Sequence, residues 1–489
     1  MPTLMPADTA AALGPNAEKC DSRSLLLERF ADPTAKEDSR KSIFTRAFNK
    51  PVNHAKSTSH AALATSLAGN ETIYVQLQSR LMVNMAGGVM ENAGLCLDRF
   101  GLPYIPGSAV KGCARRAALA ALHEWCETGT KPTGADNPLA ACCSAFPTPA
   151  EMLSAIARVF GWCEQDWSDQ SNQSDFLWAC GQNHREHWHT AAQALAAHFG
   201  WTIADYHRET PWESLPNFAG NISFLPAYPV DLGKTGKVDG LPLEVPPLGK
   251  LELDVVTCHH SIYYSPEPDR QRIPEKWREW QAHRSAPDTE EPNPVVFPAV
   301  APGHVFAFAI APLRGGDPKL VQHARTWLAT GLSVFGLGAK TAAGYGWFDC
   351  SATIHNTVQK TLHDRAERER AEKQSLAEEQ RRKAEEAERL RQKQEREAAL
   401  ANLSGDERAD KEIELLTDPQ FDAKVRAFCK EPKKGGPTEE QKKAIVRALR
   451  SPRLAYWQAF RKKATKGELA TVDQAIRQLS KAMNLGKMP

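Results

Sequence analysis

An α+β fold is predicted for this chain: a ferredoxin-like (RRM-like) body with large insertions, then a long charged helix, then a small C-terminal helical bundle. Three observations predict it. Period-2 and period-3.6 apolar runs follow one another in the order strand, helix, strands, helix, strand. Residues 362–400 contain no Gly or Pro, and more than half of them are charged. Apolar residues then return at helical spacing behind the Gly435-Gly436-Pro437 break.

Along the chain, residues 1–70 read as an arm. Residues 1–19 are expected to be disordered, and Leu25 to Phe30 and Lys41 to Phe48 to form short helices. The body is placed at 71–355, with insertions at about 131–216 and 266–293. Ile73, Val75, Leu77 and Leu81 alternate with Gln76, Gln78 and Arg80, the pattern of a half-buried strand. Ser108 to Glu127 is predicted to be a helix with Ser108 as N-cap and an apolar stripe of Val110, Ala114, Ala117, Ala121 and Trp125. Leu251 to Val256 and Val305 to Ile310 are strand candidates. Leu320, Ala324, Trp327, Leu328 and Phe335 mark a second helix, and Phe348, Cys350, Ala352 and Ile354 a closing strand.

Residues 356–403 form a charged helical spacer, whose stretch from Leu362 to Leu400 would reach roughly 60 Å. Leu362, Leu376 and Leu390 repeat as in a coiled coil, but Glu369 and Lys383 interrupt the seam. Residues 404–489 form a basic helical domain. Thr438 and Gln441 have capping-box spacing, and Ile445, Leu449, Leu454, Trp457 and Phe460 serve as anchors.

The 489 residues are 42% hydrophobic and 25% charged, ordinary for a soluble chain. No apolar run is long enough to span a bilayer and no signal pattern opens the chain, so the expected location is cytoplasmic, with no membrane partner. Eleven cysteines without C-x-x-C argue against a disulfide scaffold. Charge is uneven: His355 to Pro489 holds 31 Lys and Arg against 23 Asp and Glu, and Gln441 to Pro489 holds 12 against 2. Such a tail suits a polyanion, and equally a solvated helical face.

Two segments carry the candidate chemistry. Phe335 to Gly346 packs Gly336, Gly338, Gly344 and Gly346 around Lys340, Thr341 and Tyr345. Glycines there allow exposed amides to cradle a phosphate, Lys340 adds charge, and Tyr345 offers a ring for stacking. The same glycines also suit a tight turn. The second segment is Gly101 to Gly112, followed by Arg115 and Arg116. A helix N-terminus with Ser108, and Lys111 and Arg115 four apart, makes a phosphate seat. Two Lys-Thr pairs that suggest a Walker loop fail as one. Ala339 precedes Lys340-Thr341, and Tyr228 stands where Gly233-Lys234-Thr235 would need an earlier glycine.

Together the segments resemble the RAMP superfamily. Pro103-Tyr104-Ile105-Pro106-Gly107-Ser108-Ala109-Val110-Lys111-Gly112 is similar to its Pro-x-Ile-Pro-Gly-Ser-x-x-Lys-Gly loop, and the glycine-rich loop lies near the end of the body. Ser24 to Phe30 looks like the family's N-terminal helix. Asp254-Val255-Val256-Thr257-Cys258-His259-His260 resembles the Asp-Val-x-Thr-Pro-His-His signature of the sixth-subunit branch of type III-B Cmr assemblies, with Cys258 in place of proline. Pro292-Asn293-Pro294 is similar to that branch's Pro-Asn-Pro turn.

The resemblance implies a non-catalytic subunit without cofactor. It would hold CRISPR RNA near the 3′ end, help hold single-stranded target RNA in antiviral defence, and contact other Cmr/RAMP subunits. Ser108, Lys111, Arg115, Gly336, Gly338, Lys340, Thr341, Gly344, Tyr345, Gly346, His259 and His260 are the expected RNA contacts. Two alternatives stay open. One is a RAMP endoribonuclease using His259, His260, Glu91 or Asp98. The other is a scaffold recruiting a protein through its C-terminal helices. Cys163, Cys180, His184 and His187 form a C-x16-C-x3-H-x2-H pattern beside His189. That spacing matches no standard zinc finger, and no metal is assigned to it.

Overall fold

The arm docks through one buried arginine. Helix α1 (Arg23–Glu28) is capped by Ser22, and α2 (Glu37–Phe48) follows it. The Arg23 guanidinium donates to the carbonyls of Lys50, Gly249 and Phe48 at 2.8, 2.7 and 2.9 Å, the pairing a buried cation requires. Ala7–Leu13 is also helical, where the sequence predicted disorder. The computed structural model describes residues 7–14, 19–50, 52, 62–63, 65–68, 71–90, 94–163, 175–181, 184–201, 215–258, 260, 262–286, 293–313, 317–403 and 405–489. They divide into two compact units, Met1–Ala366 and Glu367–Pro489.

In the first unit, strand β1 (Thr72–Leu77) is shorter than predicted; Leu81 keeps an isolated bridge to Val300. Gln76, expected at the surface, is fully buried. Its amide donates to the Leu243 and Gly303 carbonyls at 2.8 and 3.1 Å and accepts from Leu243 N at 3.1 Å. A polar side chain satisfied this way can sit inside against the period-2 pattern.

Helix α3 (Gly107–Thr128) buries its predicted stripe, and also Cys113, Ala118 and Leu122. The second face is covered by the 131–216 insertion, whose helices α4 (Pro149–Phe160) and α5 (Asp175–Cys180) pack on α3 while α6 (Arg185–Phe199) packs on α4.

Strand β2 (Ile222–Phe224) comes next. Strands β3 (Leu251–Cys258) and β4 (Asn293–Val300) then form an antiparallel ribbon, from Leu251 opposite Val300 to Cys258 opposite Asn293. Asn293 and Pro294, predicted to lie in a turn, therefore begin a strand. Prolines 294 and 298 are tolerated there because an edge strand need not donate on its open side. Strand β5 (Val305–Pro312) is buried from Val305 to Ile310 because it lies inside the sheet.

Helix α7 (Pro318–Thr330) starts at Asp317, whose carboxylate accepts from Lys319 N at 2.9 Å. Leu320, Ala324, Trp327 and Leu328 are buried as predicted. Strand β6 (Phe348–Asp349) pairs with β1. The sheet order is β2-β5-β1-β6, with antiparallel neighbours.

The predicted closing strand ends early. Asp349 Oδ1 accepts from Ser351 N at 2.8 Å, and helix α8 (Ala352–Leu400) begins at Ala352. Ile354 and Val358, four apart, are its buried residues. Further along α8, Leu376 and Leu390 are exposed. Ion pairs at i,i+4 line it, including Glu379–Lys383 at 2.7 Å and Arg391–Glu395 at 2.9 Å.

In the second unit, α9 (Gly405–Glu414), α10 (Asp418–Arg426), α11 (Glu439–Arg450), α12 (Leu454–Lys463) and α13 (Glu468–Ala482) enclose an apolar core. Ile413, Phe421, Ile445, Leu449, Trp457 and Ile476 are almost fully buried in it, and Phe460 is buried beside them. Thr438 and Gln441 form the expected capping box on α11. Among the described residues, no helix is long and apolar enough to cross a membrane.

Candidate nucleic-acid interface

Helix α3 begins one residue earlier than predicted. Gly107 is its first residue and Pro106 precedes it as N-cap, so Ser108 lies exposed within the first turn and does not cap. Gly107 is required by proximity: a Cβ there would lie 2.3 Å from the Phe224 carbonyl oxygen of β2. Lys111 is half-buried one turn on.

Arg115 departs from expectation. It forms an ion pair with Asp175 and lies over the Phe176 ring, 5.4 Å from its centroid, so it anchors the insertion. Arg116 takes the opposite side. Its exposed guanidinium covers Phe335 at 4.6 Å, at the mouth of the glycine-rich loop. Adjacent residues on a helix point about 100° apart, so the insertion claims one arginine and the loop the other. Knowing which helix face met the loop was the missing signal.

The two predicted segments meet. Cys113 Sγ lies 3.8 Å from the Gly336 carbonyl. A Cβ on Gly331, in the π turn Gly331–Phe335, would approach the Cys113 carbonyl to 2.6 Å.

The loop itself is folded more tightly than a row of exposed amides. Leu337 N donates to Gly346 O at 2.8 Å, Ala339 N to Met82 O at 2.7 Å, Gly346 N to Arg80 O at 2.8 Å and Tyr345 N to Lys340 O at 3.2 Å. Two of these bonds, to Met82 and Arg80, stitch the loop to the chain after β1, and the other two close the loop on itself. The glycines are a packing demand: a Cβ would come within 2.4 Å of Met82 O at Gly338 and within 1.9 Å of Leu337 O at Gly346. Gly336 and Gly344 adopt φ of +69° and +88°, and Gly344 opens to solvent. The expectation of a broad amide cradle is thus corrected for Leu337, Ala339, Tyr345 and Gly346. Thr341 gives its carbonyl to Trp347 Nε1 at 3.2 Å.

Lys340 is half-buried, adopts φ +60°, and places Nζ 5.4 Å from the Phe297 ring centroid. The Tyr345 hydroxyl donates to Asp254 Oδ2, which fixes where its ring stands. Burial and this bond push the phenol up to about 12. Burial pushes the Asp254 carboxyl upward too, but bonds from Tyr345 and Val255 N, with the Arg80 charge, outweigh it and leave it below the usual range. Arg80 pairs with Asp254 at 3.0 Å and Glu252 at 3.3 Å, tying the β3–β4 ribbon to the loop.

His259 and Glu91 lie outside the described residues. His260 follows the end of β3 with φ +59°. Asp98 is buried, and its Oδ1 accepts from Phe100 N at 2.8 Å and Leu102 N at 2.9 Å. That is the pattern of a turn-forming carboxylate. The Cys–His quartet does not assemble as a unit. Cys180 is buried beside Cys126, and burial raises its thiol far above the ordinary value. Among the described residues, His184 and His187 instead group with Glu186.

A glycine-rich loop seated on the first helix of an antiparallel sheet defines the class: the chain belongs to the RAMP superfamily, whose model matches residues 85–349. Within that class it resembles the CRISPR system Cmr subunit Cmr6 of Pyrococcus furiosus. The two are 26% identical over 272 residues, which cover 55% of this chain and 64% of the relative. The match thus spans a little under two thirds of that relative's length. The crystal structure of Cmr6 from Pyrococcus furiosus is also similar. It is 22% identical and aligns over 57% of this chain and 97% of that one, with a TM-score of 0.24.

Proposed function

We propose that the chain is a non-catalytic RNA-binding subunit of a type III-B Cmr ribonucleoprotein. It holds CRISPR RNA near the 3′ end and helps to hold target RNA in antiviral defence, beside other RAMP subunits. The observation that carries this reading is the meeting of the α3 start and the glycine-rich loop, with Cys113 on Gly336 and Arg116 on Phe335. Both segments fall inside the stretch matched to the RAMP family. The β-α-β-β-α-β order and the β2-β5-β1-β6 sheet support a ferredoxin-like body. Lys111, Arg116 and Lys340 are the cations that supply phosphate contacts, with the Ser108 hydroxyl on the exposed first turn. Backbone recognition by such groups is independent of base sequence. The turn role of Asp98 supports the non-catalytic part of this reading.

The test is fluorescence anisotropy of guide-like single-stranded RNA with the full-length protein across a salt series. Lys340→Ala, Lys111→Ala and Arg116→Ala each weaken binding to unrelated sequences alike. Each lowers the slope of log K against log salt by about 0.7 per lost contact. Arg115→Ala leaves the slope unchanged. Base-selective losses, or unchanged slopes in all three variants, overturn the reading, and turnover of the RNA by the native protein overturns its non-catalytic part.

A further inference from the structure

Three side chains at the start of α6 converge, and none belongs to the interface described above. His184 Nδ1 lies 3.5 Å and His187 Nε2 3.8 Å from one and the same oxygen, Glu186 Oε1. The three ligand atoms all fall within 4.8 Å of one another. The imidazoles stack nearly parallel, with centroids 5.6 Å apart and planes inclined by 5°. Spacing explains the two imidazoles: residues three apart share a helix face, and His184 is the N-cap of α6.

We propose that His184, Glu186 and His187 form a divalent-cation site of the zinc class, bound through His184 Nδ1, His187 Nε2 and the Glu186 carboxylate. A tetrahedral zinc with bonds of about 2.0–2.1 Å sets its ligand atoms about 3.3–3.4 Å apart. Two of the three edges already stand within half an ångström of that. Both contacts are at ion-pair distance, so Glu186 already gathers the two imidazoles before any ion arrives.

Two imidazoles and a carboxylate suit zinc and its neighbours in the transition series, and they leave a fourth position for water. The side chains are 35%, 64% and 24% exposed, so an ion reaches them from solvent. The positive end of the helix dipole opposes a cation here, and the Glu186 charge offsets it. The bound ion would tie the cap of α6 to its first turn and so fasten one end of the insertion that packs against α3. The site makes no use of the predicted Cys163 and Cys180.

The test uses full-length, tag-free protein stripped with EDTA. Zn²⁺ is titrated in by calorimetry, and Co²⁺ is followed by its visible absorption. The expected result is a single equivalent of Zn²⁺ and ligand-field bands of a low-coordinate Co²⁺ site. His184→Ala, His187→Ala and Glu186→Gln each weaken uptake by roughly tenfold or more, with far-UV circular dichroism of the metal-free proteins unchanged. Should His187→Ala fail to fold, the more exposed His184→Ala and Glu186→Gln decide the matter. The proposal is overturned if the native protein takes up no stoichiometric metal. It is equally overturned if the folded variants bind like the native chain, since the ion would then lie elsewhere among the fifteen histidines.

Discussion

His304 is held neutral by its surroundings. It is 2% exposed, its Nδ1 donates to the Ala301 carbonyl at 2.7 Å, and its Nε2 accepts from Gly249 N at 3.1 Å. Burial lowers its pKa from 6.5 to about 4. Between those values the unfolded chain binds the proton and the folded chain does not, so stability falls as pH drops from 6.5 toward 4. The loss is of the order of 3 kcal/mol. Urea unfolding at stepped pH should show it, and His304→Gln should flatten that part of the profile. A profile equally steep in the variant would assign the effect to other groups. Gly249 also receives Arg23, so one glycine joins the arm to the start of β5.

At the scale of elements, α3 is divided between two neighbours. Its stripe from Val110 to Trp125 was readable from periodicity because helix period and burial agree there. The burial of Cys113 and the opposite fates of Arg115 and Arg116 were not, since they depend on what packs against the second face. The same limit explains β6. Phe348, Cys350, Ala352 and Ile354 alternate like a strand, yet Ile354 and Val358 bury at helical spacing against Leu232 and Val238. A short apolar run fits both periods, and tertiary packing decides.

Gly107 is the tightest joint of α3. Gly107→Ala should lower stability by about 1–3 kcal/mol, because its methyl group would overlap the Phe224 carbonyl and push α3 from β2. Thermal melts of Gly107→Ala and Gly112→Ala make the comparison. Gly112 has open space around it, so its variant should melt within a few degrees of the native protein.

For the molecule as a whole, the two units have separate apolar cores, one built on the sheet and the other on α9 to α13. The break was legible at residues 362–400, because a run of charged residues without glycine or proline cannot bury a core. The use of the basic tail was not legible. Arg453 pairs with Asp418 at 2.6 Å and covers the Phe421 ring, and Arg450 donates to the Lys487 carbonyl at 3.1 Å. Both hold the domain together, where net charge alone suited a polyanion and a solvated face equally. Removing residues 367–489 should leave the main melting transition of the remainder within a few degrees of its original position. Scanning calorimetry checks this, and collapse of that transition would mean that the cores are interdependent.

The lysine at position 340 holds a backbone geometry that a glycine would adopt freely, at a cost of roughly 1–2 kcal/mol. Its ammonium lies over an aromatic ring while its peptide is pinned by the stitched loop. An ammonium so mounted sweeps a narrow arc, and little rotamer freedom remains to be lost when a negative oxygen arrives. The loop therefore behaves as a rigid pointer, the mount that the proposed contact with a sugar-phosphate strand calls for.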